Sequence, residues 1–209
     1  MAKTNYSDQE DQKFSPRVGV LYQPWQWLSL FSSYTESLGS ANTGFSFTGQ
    51  NFKPETAEQY EAGFKTEFFE KRFSSTVSFY NLNKTNTITN DPEHPGFSVV
   101  AGKVRSRGVE IDIKGQVTEK LDLVATYAFT DIRYVNANAN LLGQRPVNVP
   151  ENQASLWGTY QFTERFKAGL GGVVVGKRLG DNNTQVVICR GISRWTLWRL
   201  IRYLSAKHV

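Results

Sequence analysis

The chain has 209 residues, 39% of them hydrophobic, 13% aromatic and 21% charged, which suits a folded protein and excludes a disordered one. Its formal charge of +5 comes from one end: residues 185–209 hold Arg190, Arg194, Arg199, Arg202 and Lys207 and no acid, and the 24 basic groups less these 5 leave 19 against 19 acids. The first 184 residues are neutral overall and carry no basic stripe, which argues against a nucleic-acid partner.

There is no run of about 18 apolar residues, so a membrane-crossing helix is excluded. A β-barrel is not, because its strands need only about ten residues each, apolar on one face. Aromatics are abundant, 14 Phe, 9 Tyr and 5 Trp, whereas Met and Cys occur once each, a balance that favours strands over helices. The opening stretch, Met1 to Lys13, is polar and has no apolar core; no secretory signal is expected there.

In chain order, apolar and polar residues alternate in segments of strand length. Val18, Val20 and Tyr22 alternate with Arg17, Gly19 and Gln23; after Pro24, Leu28, Leu30 and Tyr34 alternate with Ser29, Ser33 and Thr35. The clearest segment sets Tyr60, Ala62, Phe64 and Phe68 on one face against Glu61, Gly63, Lys65 and Glu67 on the other. Phe73, Val77 and Phe79 follow, then Val109, Ile111 and Ile113 against Glu110, Asp112 and Lys114. Leu121, Leu123, Ala125, Tyr127 and Phe129 form a sixth segment, and Ala154–Phe162 and Phe166–Val175 complete eight predicted strands.

The connections alternate as well. Short links are expected at Pro24–Gln26, Phe69–Arg72, Gln116–Lys120 and Thr163–Arg165, and long ones at Leu38–Ala57, Thr85–Gly102, Asn136–Asn152 and from Leu179 onward. Hairpins with brief turns at one end and lengthy loops at the other describe an all-β, antiparallel up-and-down transmembrane barrel of eight or nine strands. A soluble β-sandwich or a small free-standing barrel is the alternative, although sandwich strands average five or six residues and several segments here exceed ten.

Six stretches in chain order carry a resemblance: Phe14-Ser-Pro-Arg-Val-Gly-Val-Leu-Tyr-Gln-Pro24, Trp27-Leu-Ser-Leu-Phe-Ser-Ser-Tyr34, Lys53-Pro-Glu-Thr-Ala-Glu-Gln-Tyr-Glu-Ala-Gly-Phe-Lys65, Gly102-Lys-Val-Arg-Ser-Arg-Gly-Val-Glu110, Ala125-Thr-Tyr-Ala-Phe-Thr-Asp131 and Asn148-Val-Pro150. They resemble the C-terminal part of the barrel of TonB-dependent ferric-siderophore receptors of the Gram-negative cell outer membrane, the group that includes ferrichrome and ferrioxamine transporters. Pro16, Arg17, Gly19, Glu61, Gly63, Lys65, Gly102, Arg105, Gly108, Glu110, Asp131, Asn148 and Pro150 are the positions that carry it. The resemblance implies a ferric siderophore bound from outside, a plug in the lumen, energy from the TonB complex, and outer-membrane lipid around the barrel. Iron then enters only within its ligand, and no cofactor is expected. A receptor of this kind has roughly 22 strands, so the chain reads as a fragment of one, without plug or TonB-contacting segment. Glu58, Glu61, Lys65, Glu110 and Asp112 are expected to face the interior. Gly63 and Gly108 are expected to leave room where backbone or plug comes close.

From Val186 the resemblance stops, acids vanish, and Cys189, Trp195 and Trp198 appear among arginines. Because tryptophan has a single codon, Trp195 followed by Thr196 forces Asp in a neighbouring frame. The codons from Ile188 permit a stretch similar to the family's next strand. The chain is therefore divided into a polar segment 1–13, a partial barrel 14–184 and a basic tail 185–209 of shifted frame, with a genuine amphipathic tail as the alternative. Such a shift would cost the barrel its last strand.

Catalytic constellations are missing: the two histidines, His94 and His208, and the lone Cys189 give no metal-ligand spacing, and neither a nucleophile elbow nor a phosphate loop occurs. No enzyme is expected. Ligand contacts are expected in the long loops, where barrels carry function, at Phe45, Phe47, Phe52, His94 and Phe97.

Overall fold

The computed structural model describes residues 11–39, 42, 44–91, 93–137, 141–180, 188–189 and 192–201. Most of the polar segment 1–13, the junction at 181–187 and the end of the tail, including His208, lie outside the described residues. The eight expected strands are present: β1 (Arg17–Trp25), β2 (Leu28–Leu38), β3 (Thr56–Phe68), β4 (Phe73–Asn90), β5 (Ser98–Thr118), β6 (Leu121–Asn136), β7 (Asn152–Thr163) and β8 (Phe166–Val175). Two short strands, β9 (Arg178–Leu179) and β10 (Ile188–Cys189), pair with each other. Finally β11 (Ile192–Ile201) runs antiparallel to β8 over ten paired positions, so the basic tail adds a ninth strand to the sheet.

Every strand from β1 to β8 pairs antiparallel with its sequence neighbour, and the order β1-β2-β3-β4-β5-β6-β7-β8-β11 does not close upon itself among the described residues. The short connections lie at Gln26–Trp27, Phe69–Arg72, Glu119–Lys120 and Glu164–Arg165, all at one end of the sheet. In the second of these Phe69, Glu70 and Lys71 take φ of 53°, 54° and 68°. Pro24 falls inside β1 rather than in the turn, where the register with β2 slips between Tyr22 and Trp25. A strand at the end of the sheet tolerates its missing N–H.

The long connection expected over Thr85–Gly102 is corrected: β4 continues to Asn90 and β5 starts at Ser98, leaving only 91–97 between them. The register shifts at Thr85, Thr87 and Ile88, with φ of 58° at Asn86 and 94° at Gly102, bend this hairpin beyond the regular ladder. A β-bulge needs such conformations, and Gly102 supplies one without a Cβ penalty.

Register fixes two faces across the whole sheet. The rows Tyr22↔Leu30↔Phe64↔Val77↔Ile111↔Tyr127↔Ala154↔Val174 lie on one side, with Phe79, Val109, Phe129, Leu123, Leu156, Tyr160 and Leu170 at neighbouring positions of the same side. The other side carries Glu61, Lys65, Glu67, Glu110, Asp112, Lys114, Asp122 and Lys167. Val20 is 66% exposed, Phe79 52%, Leu156 55% and Leu170 56%, so the apolar side is covered by no second layer. A soluble sandwich would bury these side chains against one another. Of the buried apolar residues among those described, Ala101, Val104, Tyr134 and Leu141 cluster at the long-loop end, and Phe52 is outside that cluster. The apolar face is therefore the outer side of the sheet and the charged face the inner one, as barrels of this layout have them.

Glu58 is the exception to the expected interior set. It shares the side of Tyr60, to which it hydrogen bonds, and stands opposite Glu36 in the register. Two residues toward the turn, Tyr34 and Tyr60 meet ring to ring at 4.8 Å, and Tyr34 Oη donates to Glu36 Oε1 at 2.5 Å. Tyrosines with carboxylates immediately above them mark the upper limit of the apolar band on this side. Gly63 and Gly108 do sit where backbone comes close, at the carbonyls of Val77 and Phe129, but the space above each is filled by Phe31 and Tyr80 of the preceding strand.

Candidate ligand site at the long-loop end

Three of the five expected loop residues come together. The connection after β2 folds onto the β4–β5 hairpin: Ser98 N donates to Phe45 O at 2.7 Å, and Ser46 bridges to Ser98. This lays Phe47 flat on the His94 imidazole, centroids 3.6 Å apart at 13°, with Phe97 edge-on to Phe47 at 5.3 Å and 87°. Asn42 fastens the same connection from below, its Nδ2 donating to Lys53 O at 2.6 Å and Asn86 O at 2.8 Å.

Asp91, which sequence reasoning missed, organises the hairpin tip. Its Oδ1 accepts from Glu93 N at 2.9 Å and His94 N at 3.2 Å, and its Oδ2 lies 3.0 Å from His94 Nδ1. These contacts, the Glu93 N–H first, hold the Asp91 carboxyl below its ordinary range despite partial desolvation. The signal was present as an Asp three residues before a His, a spacing typical of side chains that bond their own following amides. Phe45 is exposed and its ring stands out from the cluster, whereas Phe52 is buried and serves packing. The arrangement offers a flat aromatic surface with an anchored imidazole, suited to stacking and to one hydrogen bond. Among the described residues no group of three or more His, Cys, Asp or Glu could hold a metal ion.

The resemblance positions scatter over the scaffold. Pro16 O accepts from Glu36 N at 2.9 Å just before β1, which Arg17 opens and Gly19 continues, while Asn148, with φ of 62°, donates its N–H to Leu179 O at 2.8 Å, two residues before Pro150. Glu61 accepts from Gln59 Nε2 at 3.2 Å and Lys65 pairs with Glu67 at 2.6 Å on the inward face. Arg105 and Asp131 stand on the apolar side of the sheet beyond its apolar band, together with Arg107 and Arg133. Arg107 Nε and Arg133 Nε both donate to Asp131, at 3.1 and 3.0 Å.

Comparison with known proteins agrees with this architecture. The family model described as TonB dependent receptor-like, beta-barrel matches residues 2–207. The metal-pseudopaline receptor of Pseudomonas aeruginosa is 36% identical over 181 residues, 85% of this chain and 25% of that protein. The ferrichrome outer membrane transporter/phage receptor of Escherichia coli is 35% identical over 176 residues, 82% of this chain and 23% of its own length. The chain thus spans about a quarter of these relatives. The siderophore receptor of Acinetobacter baumannii superposes with a TM-score of 0.70 at 22% identity, over 86% of this chain and 28% of that one, and shows the shared fold.

Proposed function

This chain belongs to the TonB-dependent receptor-like β-barrel family, and from that premise we propose that it forms a nine-strand section of an outer-membrane receptor that takes up a ferric siderophore. The observation that carries the reading is the two-sidedness of the sheet, apolar outside and polar to charged inside in continuous register over eight strands, in a chain whose relatives include ferrichrome and ferrioxamine B receptors. The work is binding and gated passage, with the TonB complex as energy source and no covalent chemistry. The Phe47–His94–Phe97 cluster lies at the long-loop end, the end that faces outward in such barrels, and contributes to ligand capture there.

The full-length polypeptide carrying this segment, expressed in a host without its own ferric-siderophore receptors, should import radioactive iron supplied as ferrichrome or ferrioxamine, and should stop when the TonB complex is removed. Import that ignores TonB, or that equals the empty host, overturns the reading. The relation to the metal-pseudopaline receptor favours a second reading, in which the cargo is another metal chelate; competition of iron import by such chelates decides between them. A shifted frame over residues 185–209 is tested by the gene, whose neighbouring frame must encode the family's next strand.

A further inference from the structure

The tip of the β4–β5 hairpin is closed by its own backbone: Asp91 N donates to Phe97 O at 2.9 Å and Phe97 N to His94 O at 3.1 Å. Asp91 Oδ1 then takes the amides of Glu93 and His94. The turn needs nothing more, yet the other carboxylate oxygen lies 3.0 Å from His94 Nδ1. A carboxylate only accepts, so the neutral imidazole directs an N–H at Nδ1 toward Asp91 and carries its lone pair at Nε2. Among the described residues Nε2 has no hydrogen-bond partner, and the His94 side chain keeps 36% of its surface exposed. Phe47, arriving from the connection after β2, lies on one face of the ring and fixes its plane.

An imidazole with one nitrogen tied to a carboxylate and the other unpartnered has the arrangement of a metal-ligating histidine. The carboxylate sets the tautomer, orients the ring and raises the basicity of the ligand nitrogen. One such ligand does not retain a bare ion, and among the described residues no group of three or more His, Cys, Asp or Glu stands ready to do so. The metal must therefore arrive with most of its donors already supplied, as a chelate. Imidazole suits borderline divalent ions such as Cu2+, Ni2+ and Zn2+, and the Asp91 charge beside the ring favours an approaching cation.

We infer that His94 Nε2 binds the metal of a divalent metal chelate whose chelator leaves a coordination position open, and that the site thereby rejects complexes whose chelator saturates the metal. The step is a ligand substitution: the Nε2 lone pair displaces a water from the metal, and neither electrons nor protons are transferred. The inference rests on the proposed uptake function, within the reading in which the cargo is a metal chelate other than a ferric siderophore.

The test uses the full-length polypeptide carrying this segment, folded in detergent and titrated with Cu2+ held by nitrilotriacetate, a tetradentate chelator, and with Cu2+ held by the hexadentate EDTA. Pulsed electron paramagnetic resonance reads the remote nitrogen of a coordinated imidazole. The nitrilotriacetate complex should bind with that coupling, and the EDTA complex at least about tenfold more weakly and without it, since losing the ligand bond costs no less than losing its orienting partner. His94→Phe, which keeps a ring against Phe47, should abolish the coupling. A merely exposed histidine would bind equally well without its carboxylate, whereas Asp91→Asn should weaken the complex about tenfold while the coupling remains detectable at saturation. Equal binding of the two complexes, an undiminished coupling in folded His94→Phe, or undiminished affinity in Asp91→Asn overturns the site. Should His94→Phe fail to fold, His94→Gln takes its place, and the comparison of chelators on unaltered protein decides independently. TonB-dependent import with failure of these binding tests removes this site and leaves the transport reading; the expected binding without import removes the transport reading and leaves the chelate site.

Discussion

Gly63, Gly108 and Gly171 are each covered on the inward face by an aromatic ring of the preceding strand, Phe31, Tyr80 and Trp157 in turn. The rings lie across the sheet instead of standing into the lumen, which hides their area without a second layer. Tyr80 reaches further still, its hydroxyl 3.2 Å from Thr130 Oγ1 on β6. A Cβ at Gly108 would collide with the Phe129 carbonyl and with the Tyr80 ring, whereas one at Gly19 would meet Ser32 O at 3.7 Å and Ser33 Cβ at 3.8 Å, ordinary contacts. Gly108→Ala should therefore cost about 1–3 kcal/mol and Gly19→Ala no more than about 0.5 kcal/mol. Urea titration of folding in lipid bilayers measures both; equal effects would refute the distinction. Asp91 invites a test by pH. Its carboxyl is held below the ordinary range, so the stabilisation it gives the hairpin tip is complete above that range and fades as pH falls through the lowered value. The ring-current shift of the His94 imidazole by Phe47 should persist from neutral pH down to the usual carboxylate range, then collapse in stronger acid. In Asp91→Asn it should be weak at every pH. A shift that survives in the variant would show that Asp91 does not hold the ring.

At the scale of the strand, alternation works as a signal only where the two sides of the backbone meet different solvents. From Tyr60 to Phe68 one side is apolar and the other charged, and both the strand and its faces were legible in the sequence. In the hairpin built from Asn86–Asn90 and Ser98–Gly102 both sides are polar or mixed, so the sequence read as loop while the ladder continued through a bulge. The same blindness hid the cationic rows: Arg105 and Arg133 follow apolar residues of the same parity, but only register reveals that they stand opposite each other. The loop cluster was half visible, since aromatic residues and a histidine can be picked out of a polar loop, but the contact between two separate connections cannot. The face assignment makes a sharp prediction within β5. Ile111→Lys places an ammonium in the middle of the apolar band and should cost about 2–4 kcal/mol of folding free energy in bilayers. Asp112→Asn, one residue on and facing inward, should change it by about 0.5 kcal/mol or less. Equal costs at the two positions would mean that the faces have been exchanged.

For the whole molecule the decisive feature is that β1 and β11 are both edges among the described residues. Every interior strand has its backbone groups satisfied by two neighbours, but an edge strand leaves a row of N–H and C=O groups on one side. In lipid each such group costs several kcal/mol, and in water the row is a template for pairing with another chain. A sheet of nine strands with an uncovered apolar face therefore has no comfortable solvent when alone: hydrocarbon suits its side chains and penalises its edges, and water does the opposite. The 209-residue chain refolded by itself into detergent should give self-associated species, with no monomer whose electrophoretic mobility changes on heating. Supplying the remaining strands, as the full-length polypeptide or as a separate segment refolded alongside, should restore a heat-modifiable barrel. The edges are the cause if Leu21→Pro in β1 lowers self-association of the isolated chain, because the Leu21 N–H points away from β2 and proline removes it from the exposed row. A heat-modifiable monomer formed by the 209 residues alone would instead require β1 and β11 to meet, and would make this chain a small closed barrel in its own right.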